Sequence, residues 1–328
     1  MDRVNVILAA YNGEKYIGEQ IGSILGNTFQ NLRLWIFDDG SSDKTETVID
    51  VYRMKYPDKI IFRRNPVNKG VTLNFLDGMR YAAGFGEAAE GGRTDTAENE
   101  SQKIREYFMF SDQDDVWMPD KIEKTLRYMK KLESRYGSNS AAAVFTDARV
   151  VDENLKTIYP SFYESGRLDT GKRDLPHIMM ENKLIGCTVM VNRELAGRLK
   201  QLPEKARFHD WWVAMIAAAF GHIGYLPEAT LYYRQHGGNM VGNQSFSSYV
   251  RNRISSIKKQ KEALHAIVSQ AGEFYRIFHT ELPAPQKKQV YILAQLEKKN
   301  WFERRLLIVK YGYLKTGLLR NIGLLCLI

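Results

Sequence analysis

The sequence predicts an α/β fold: a mostly parallel central sheet with helices on both faces, followed by a helical C-terminal extension. Three observations predict it. Short apolar strand-like runs alternate with amphipathic helical stretches through the first half of the chain, the pattern of a parallel sheet covered on both sides. Two of those runs close on acidic clusters, Asp38-Asp39-Gly40-Ser41-Ser42-Asp43 and Ser111-Asp112-Gln113-Asp114-Asp115. Ligands in such sheets sit outside the carboxyl ends of the strands. From about residue 246 the pattern is helical to the end.

The elements follow in order. Val4–Ala10 reads as a strand, and Ile17, Ile21, Ile24 and Leu25 recur at helical spacing, with Asn12 a candidate N-cap and Gly26-Asn27 a stop. Leu32, Leu34 and Ile36 alternate toward Asp38. Asp43 is placed to cap a helix whose face is Thr45, Val48, Ile49 and Tyr52. Lys59–Arg63 gives a third strand, and Val71, Phe75 and Met79 open another helix. Gly84–Lys103, rich in Gly, Ala and Glu, reads as a surface loop. Tyr107–Phe110 is the strand feeding the acidic run. Ile122, Leu126, Met129 and Leu132 mark a helix, and Ala141–Phe145 a strand. Arg149–Gly171 looks like a connecting segment, Thr188–Val191 a short strand, Asp210–Phe220 a very apolar helix, and Thr230–Tyr233 a last strand. This divides the chain into a catalytic part, residues 1–245, and a basic helical region, 246–328.

Composition excludes several classes. Of 328 residues, 44% are hydrophobic and 26% charged, ordinary for a globular protein. Two distant cysteines, Cys187 and Cys326, argue against a disulfide scaffold or a zinc site. No signal peptide and no spanning helix is expected. No G-x-G-x-x-G or P-loop motif occurs. The charge of +9 is concentrated in the tail: residues 248–328 carry 15 Lys and Arg against five Glu and no Asp. With no recognisable nucleic-acid module, an anionic membrane surface is the expected partner of that tail.

Three carboxylates within four positions at a strand end repel one another unless a cation or strong donors lie between them. A hard divalent cation that in turn holds phosphates is one resolution. An acidic turn capping the helix that begins near Pro119 and Asp120 is the other. A second acidic strand end upstream favours one shared site. Asp112 and Asp114, two apart, would face the same side of an extended segment, one toward a ribose hydroxyl and one toward a metal.

These residues carry a resemblance. Val6-Ile7-Leu8-Ala9-Ala10-Tyr11-Asn12-Gly13, the Asp38–Asp43 cluster, Asn68-Lys69-Gly70-Val71 with Asn74, and Ser111–Asp115 occur in the order and relative spacing of the family 2 inverting glycosyltransferases of the A-type nucleotide-diphospho-sugar transferase fold. The resemblance covers roughly residues 1–240. It implies that Ala10 and Tyr11 flank the base, that Asp39 binds it with support from Asp38, and that Lys69 joins the donor-nucleotide site. It places Asp112 near the ribose and Asp114 on Mg²⁺ or Mn²⁺. Asp115 stays open between capping, orienting Asp114 and direct ligation. The resemblance makes Asp210, in Phe208-His209-Asp210-Trp211-Trp212, the general base after the Leu184–Thr188 loop, although His209 stands where an acid is usual. Trp211 and Trp212 are candidates for stacking on a sugar or for the core. Arg234 and His236, in Tyr233-Arg234-Gln235-His236-Gly237-Gly238-Asn239, are expected at the diphosphate or the metal.

Without a Gln-x-x-Arg-Trp segment the resemblance points to single transfer. Phe208–Trp212, Tyr232–Asn239 and the basic tail look most like bacterial rhamnosyltransferases of surface polysaccharide synthesis. The implied donor is dTDP-L-rhamnose, with a UDP-hexose as alternative, and the acceptor a polyprenyl-diphosphate-linked saccharide. A nucleotidyltransferase and an inactive membrane-associated assembly factor are the rivals. In the tail, Trp301, Phe302, Leu306, Leu307, Val309, Tyr311, Tyr313 and Leu314 interleave with Arg304, Arg305, Lys310, Lys315 and Arg320. They predict peripheral attachment at the cytoplasmic membrane face, or else packing on the catalytic part or a partner subunit.

Overall fold

A computed structural model describes residues 1–85, 104–236 and 257–328. The expected loop between Gly84 and Lys103 lies almost wholly outside the described residues, as do Gly237–Asn239 and the boundary near residue 245.

The Leu/Val/Ile-rich run at the N-terminus forms β1 (Asp2–Ala10), with β2 (Leu32–Asp38) parallel on one side and β4 (Arg105–Ser111) parallel on the other. Strand β3 (Ile60–Arg64) extends the parallel set beyond β2. Helices α1 (Ile17–Leu25), α2 (Thr45–Lys55) and α3 (Val71–Ala82) make the crossovers. Both faces are covered, so Val4, Val6, Ile7 and Leu8 are all fully buried, and the strand is apolar on both faces except at Asn5, whose Oδ1 accepts from Trp35 Nε1.

Beyond β4 the sheet becomes mixed. Its order is β3-β2-β1-β4-β8-β6-β9-β5, with β5 (Val116–Trp117), β6 (Ala141–Val151), β8 (Met190–Asn192) and β9 (Gly221–Arg234); β7 (Thr157–Tyr159) pairs with β6 off this path. The long ladders are parallel, including β6 with β9, and the antiparallel ones are short. Helix α4 (Lys121–Tyr136) covers β6 and β9. The short helices α5 (Phe162–Gly166), α6 (Leu175–Met180) and α7 (Arg193–Ala196) precede α8 (His209–Phe220), which runs straight into β9.

Several boundaries differ from expectation. Helix α1 begins at Ile17, because Asn12 adopts a left-handed turn and accepts the Ser42 N–H instead of capping. Strand β6 runs to Val151 through residues expected to be a connection, since Ala148, Val150 and Val151 are buried. Strand β9 begins at Gly221, far ahead of Thr230. At Gly221 a methyl group would lie 1.8 Å from the Ala141 carbonyl oxygen. Gly221→Ala must therefore part β6 from β9 at their first pair. Overpacking costs about 1–3 kcal/mol, so in a chain of this length the melting temperature is expected to fall by about 2–4 °C; an unchanged melt by circular dichroism would contradict this packing.

The C-terminal helices are α9 (Ile257–Phe278), α10 (Ala284–Ala294), α11 (Trp301–Tyr311) and α12 (Leu318–Leu327). They share a core with the α/β part: Ile267, Phe274, Phe278, Leu293, Ile308 and Tyr313 join Trp212, Met215 and Phe75 in one buried cluster. No helix among the described residues is long and apolar enough to cross a membrane.

Candidate active site

Because β1 lies between β2 and β4, Ala10 pairs with Asp38 and Leu8 with Ser111, so both acidic clusters leave the sheet at the same end. Ala10 is buried and its carbonyl accepts the Asp39 N–H at 2.8 Å. Asp38 is fully buried and accepts from the Ser41 N–H and hydroxyl, which folds the Gly40 turn. The Asp39 carboxylate accepts from Asn65 Nδ2 at 2.8 Å, the Lys69 N–H at 2.9 Å and the Gly70 N–H at 2.8 Å. Asn65 is held in turn by Asn74, which donates to the Phe37 carbonyl. The Asn68–Val71 segment thus lines the site with backbone. The Lys69 ammonium itself pairs with Asp77 at 2.7 Å.

Gln113 joins the two loops: its Oε1 accepts the Tyr11 N–H at 2.8 Å and its Nε2 donates to the Tyr11 carbonyl at 2.9 Å. Tyr11 remains 49% exposed beside it, where a base can stack. The sequence showed Gln113 only as the spacer between two aspartates.

The second acidic loop is braced from β9. Arg234 is 3% exposed. Its Nε donates to the Asp114 carbonyl at 2.8 Å, its Nη1 to the Glu153 carbonyl at 2.5 Å, and its N–H to Asp115 Oδ1 at 3.1 Å; Glu19 takes the remaining arm. With these donors engaged inside the protein, Arg234 braces the Asp114 loop. His236 comes alongside with Nε2 2.8 Å from Asp114 Oδ2, its ring 4.9 Å from that of Tyr16. Asp114 and His236 are each partly open to solvent.

Asp112, Asp115 and Cys187 place ligand atoms within 4.8 Å of one another. Burial is the main cause raising both carboxyls, and the neighbouring carboxylates add to it, Asp114 first; Asp210 also contributes at Asp112. Among the described residues, buried Asp115 Oδ2 has no hydrogen-bond partner beyond the Cys187 thiol beside it. It does not cap α4, as one reading allowed. Below it, burial lowers Lys121 to about 8 while its ammonium reaches Thr230 at 3.1 Å.

Asp210 opens α8, and burial raises its carboxyl to about 7 against hydrogen bonds from the Trp211 N–H, Asn182 and the Gly186 N–H. His209 has no acid's role. It stacks on Phe75 at 4.0 Å, meets Phe110 edge-on at 4.8 Å, and burial depresses it to about 3, so it is a neutral wedge. Gly186 makes room for it: a Cβ there would lie 2.4 Å from His209 Nε2. Trp212, a candidate for acceptor contact, is fully buried against Phe274 and Phe278 and belongs to the core. Trp211 is 5% exposed with its Nε1 donating to the Ile178 carbonyl, so it too packs rather than lines an open site.

Asp114 and His236 offer one oxygen and one nitrogen at the open side, donor types that Mg²⁺ or Mn²⁺ accepts. Cys187 does not suit such an ion: burial raises its thiol well above the ordinary value and keeps it protonated.

The model of glycosyl transferase family 2 matches residues 5–185. The chain is 27% identical over 214 residues to an uncharacterized glycosyltransferase of Rickettsia typhi, covering 63% of this chain and 56% of that protein, so it spans just over half of that relative. It is 27% identical over 252 residues to the dTDP-rhamnosyl transferase RfbG of Shigella flexneri, covering 74% and 76%. Among solved structures it is similar to S. aureus TarS 1–349 in complex with UDP-GlcNAc, with a TM-score of 0.54 at 16% identity, covering 93% of this chain and 83% of that one. That likeness carries the fold. With the family model covering more than half of its length, the chain belongs to glycosyl transferase family 2.

Proposed function

We propose that this enzyme is a metal-dependent inverting glycosyltransferase that moves one sugar, L-rhamnose from dTDP-L-rhamnose, onto a lipid-linked oligosaccharide in bacterial surface polysaccharide synthesis. The observation that carries the reading is the convergence of Asp39, Asp112, Asp114 with His236, and Asp210 around one end of the sheet. Tyr11 and Asp39 then hold the nucleotide base, and Asp112 the ribose. A cation held by Asp114 and His236 would neutralise charge on the leaving diphosphate. Asp210 accepts the proton of the acceptor hydroxyl as that oxygen bonds the anomeric carbon and the bond to the diphosphate breaks. The resemblance to the RfbG protein supports the choice of donor. Transfer from a panel of nucleotide sugars, with and without Mn²⁺, tests the whole: rhamnosylated product with inverted configuration is expected. A UDP-hexose as sole donor would change the sugar, and no turnover of any donor would favour an assembly role.

The acceptor side of the reading rests on the tail. Trp301, Phe302, Leu306 and Val309 on α11 are 56–68% exposed, and Leu318, Leu319 and Ile322 on α12 are 49–76% exposed. The membrane-facing set is narrower than the sequence suggested. Tyr313 is buried, and Arg320 is buried against the carbonyls of Gly166 and Arg167. Arg305, stacked on Trp301 at 3.7 Å, and Lys310 stay at the surface. Such a face suits the interface of an anionic cytoplasmic leaflet. Truncation near residue 300 would strip Ile308 and Tyr313 from the core, so surface changes are the sharper probe. The Phe302→Asp, Leu306→Asp double variant is expected to bind anionic vesicles at least tenfold more weakly with unchanged melting, since each apolar side chain contributes about 1.5–3 kcal/mol when buried. Equal co-sedimentation of variant and parent would remove this surface from the reading.

A further inference from the structure

Strands β6 and β9 run from the acidic site, where Val151 pairs with Arg234, to the opposite end of the sheet, where Ala141 pairs with Gly221. That is about 30 Å along β6. At this far end a cavity of about 800 Å³ opens between the C-terminal turns of α4, the start of β9, the segment before α6, and helices α10 and α11.

Its chemistry is one-sided. Lys131, Arg135 and Arg173 line it, and none of the three forms an ion pair among the described residues. The one carboxylate in the lining, Asp174, is already engaged by His177 Nδ1 at 2.8 Å. Burial lowers His222, so the positive charge rests on the lysine and the two arginines. Three cations with no carboxylate partner among the described residues, around a concave space, favour an anion, and guanidinium groups favour the planar oxygen pairs of phosphate or carboxylate.

The wall fixes one of these cations: Tyr136 and His222 stack on each other at 3.8 Å, and the Arg135 guanidinium lies 5.1 Å over the Tyr136 ring. Gln286 lines the same space, and its Oε1 is buried with no donor to satisfy it. An unpaired buried acceptor costs about 1–3 kcal/mol, and a ligand hydroxyl would supply the missing donor. A cavity of about 800 Å³ has room for far more than inorganic phosphate.

We propose that this cavity is a second ligand site, for a phosphorylated saccharide, separate from the donor site at the other end of the sheet. It involves no metal and no group of the acidic loops, so it stands or falls independently of the transfer reaction. The ligand could reach it as a free sugar phosphate or as a phosphodiester-linked stretch of glycan; both present phosphate on a hydroxylated ring.

Titration calorimetry with glucose 1-phosphate, on the full chain in EDTA and with saturating UDP, tests it. Saturable binding is expected, at least tenfold tighter than that of glucose or inorganic phosphate alone. The Arg135→Glu, Arg173→Glu double variant, the first exposed and the second half-buried, should weaken binding at least tenfold while melting as the parent does. Gln286→Leu should lower the preference for glucose 1-phosphate over inorganic phosphate. Repeating the titration with an oligosaccharide of hexoses joined by phosphodiesters separates the two sources, tighter binding of the oligomer assigning the polymer. Absence of saturable binding, displacement by UDP, equal affinity for inorganic phosphate, or no effect of the double variant would each overturn the proposal.

Discussion

Asp114→Asn is expected to lower transfer by about three orders of magnitude while leaving the melting temperature within a degree or so of the parent. The side chain is partly open and touches His236 Nε2 through Oδ2 at 2.8 Å. The amide keeps that shape but removes the negative charge a cation requires. Charge stabilisation by a bound cation is worth several kcal/mol at the transition state, and each 1.36 kcal/mol is tenfold in rate. The loss should appear in metal-dependent donor binding too, as a rise in the Mn²⁺ concentration giving half-maximal binding. The main chain of Asp114 is fixed by Arg234 independently of its carboxylate, so the loop is expected to hold its place. Near-parental turnover of this variant in EDTA would show that the Asp114–His236 pair has no metal role.

Much of this site was legible because short-range rules applied. Apolar strands that end in Asp38 and Ser111 can only present their next residues at the carboxyl end of a sheet, and β1 between them brings both clusters together. The Asn68–Val71 segment was legible as a motif but not in its action: the Lys69 charge is taken by Asp77, and it is the backbone N–H groups of Lys69 and Gly70 that hold Asp39.

Distant partners decided the features that the sequence hid. Helix α8 is apolar almost all round, so no periodicity marks its inward face. Trp212 turned out to face Phe274 and Phe278, more than sixty residues downstream. Arg234 read as a ligand-binding cation, yet carbonyls at residues 114 and 153 and the Glu19 carboxylate hold it inside. Gln113 read as a spacer because only the approach of the Tyr11 loop shows its double hydrogen bond. His209 occupies a place where an acid is usual, and only the stacked Phe75 ring and the close Gly186 backbone explain a neutral, apolar contact there.

Asp210→Asn should bind donor as the parent does and transfer about 10² to 10⁴-fold more slowly, the usual cost of removing a positioned base. Burial suits this carboxyl to proton abstraction, since a base poised near neutrality takes up a hydroxyl proton more readily than an ordinary aspartate. The parent's turnover is therefore expected to climb with pH through about 7, as Asp210 ionises, and the residual turnover of the variant to lack that step. Stability gives an independent check with the opposite sign. The native carboxyl is raised from 3.8 to about 7, so between those values the folded chain keeps a proton that the unfolded chain releases. Folding is then favoured at low pH, and this contribution is lost as pH rises toward 7. Asn carries no proton to lose. The variant should thus be at least as stable as the parent above pH 7, while its advantage vanishes near pH 4. Unchanged turnover, or a product with retained anomeric configuration, would remove Asp210 from the base's role; parallel pH–stability curves would show that its carboxyl is not perturbed by burial at all.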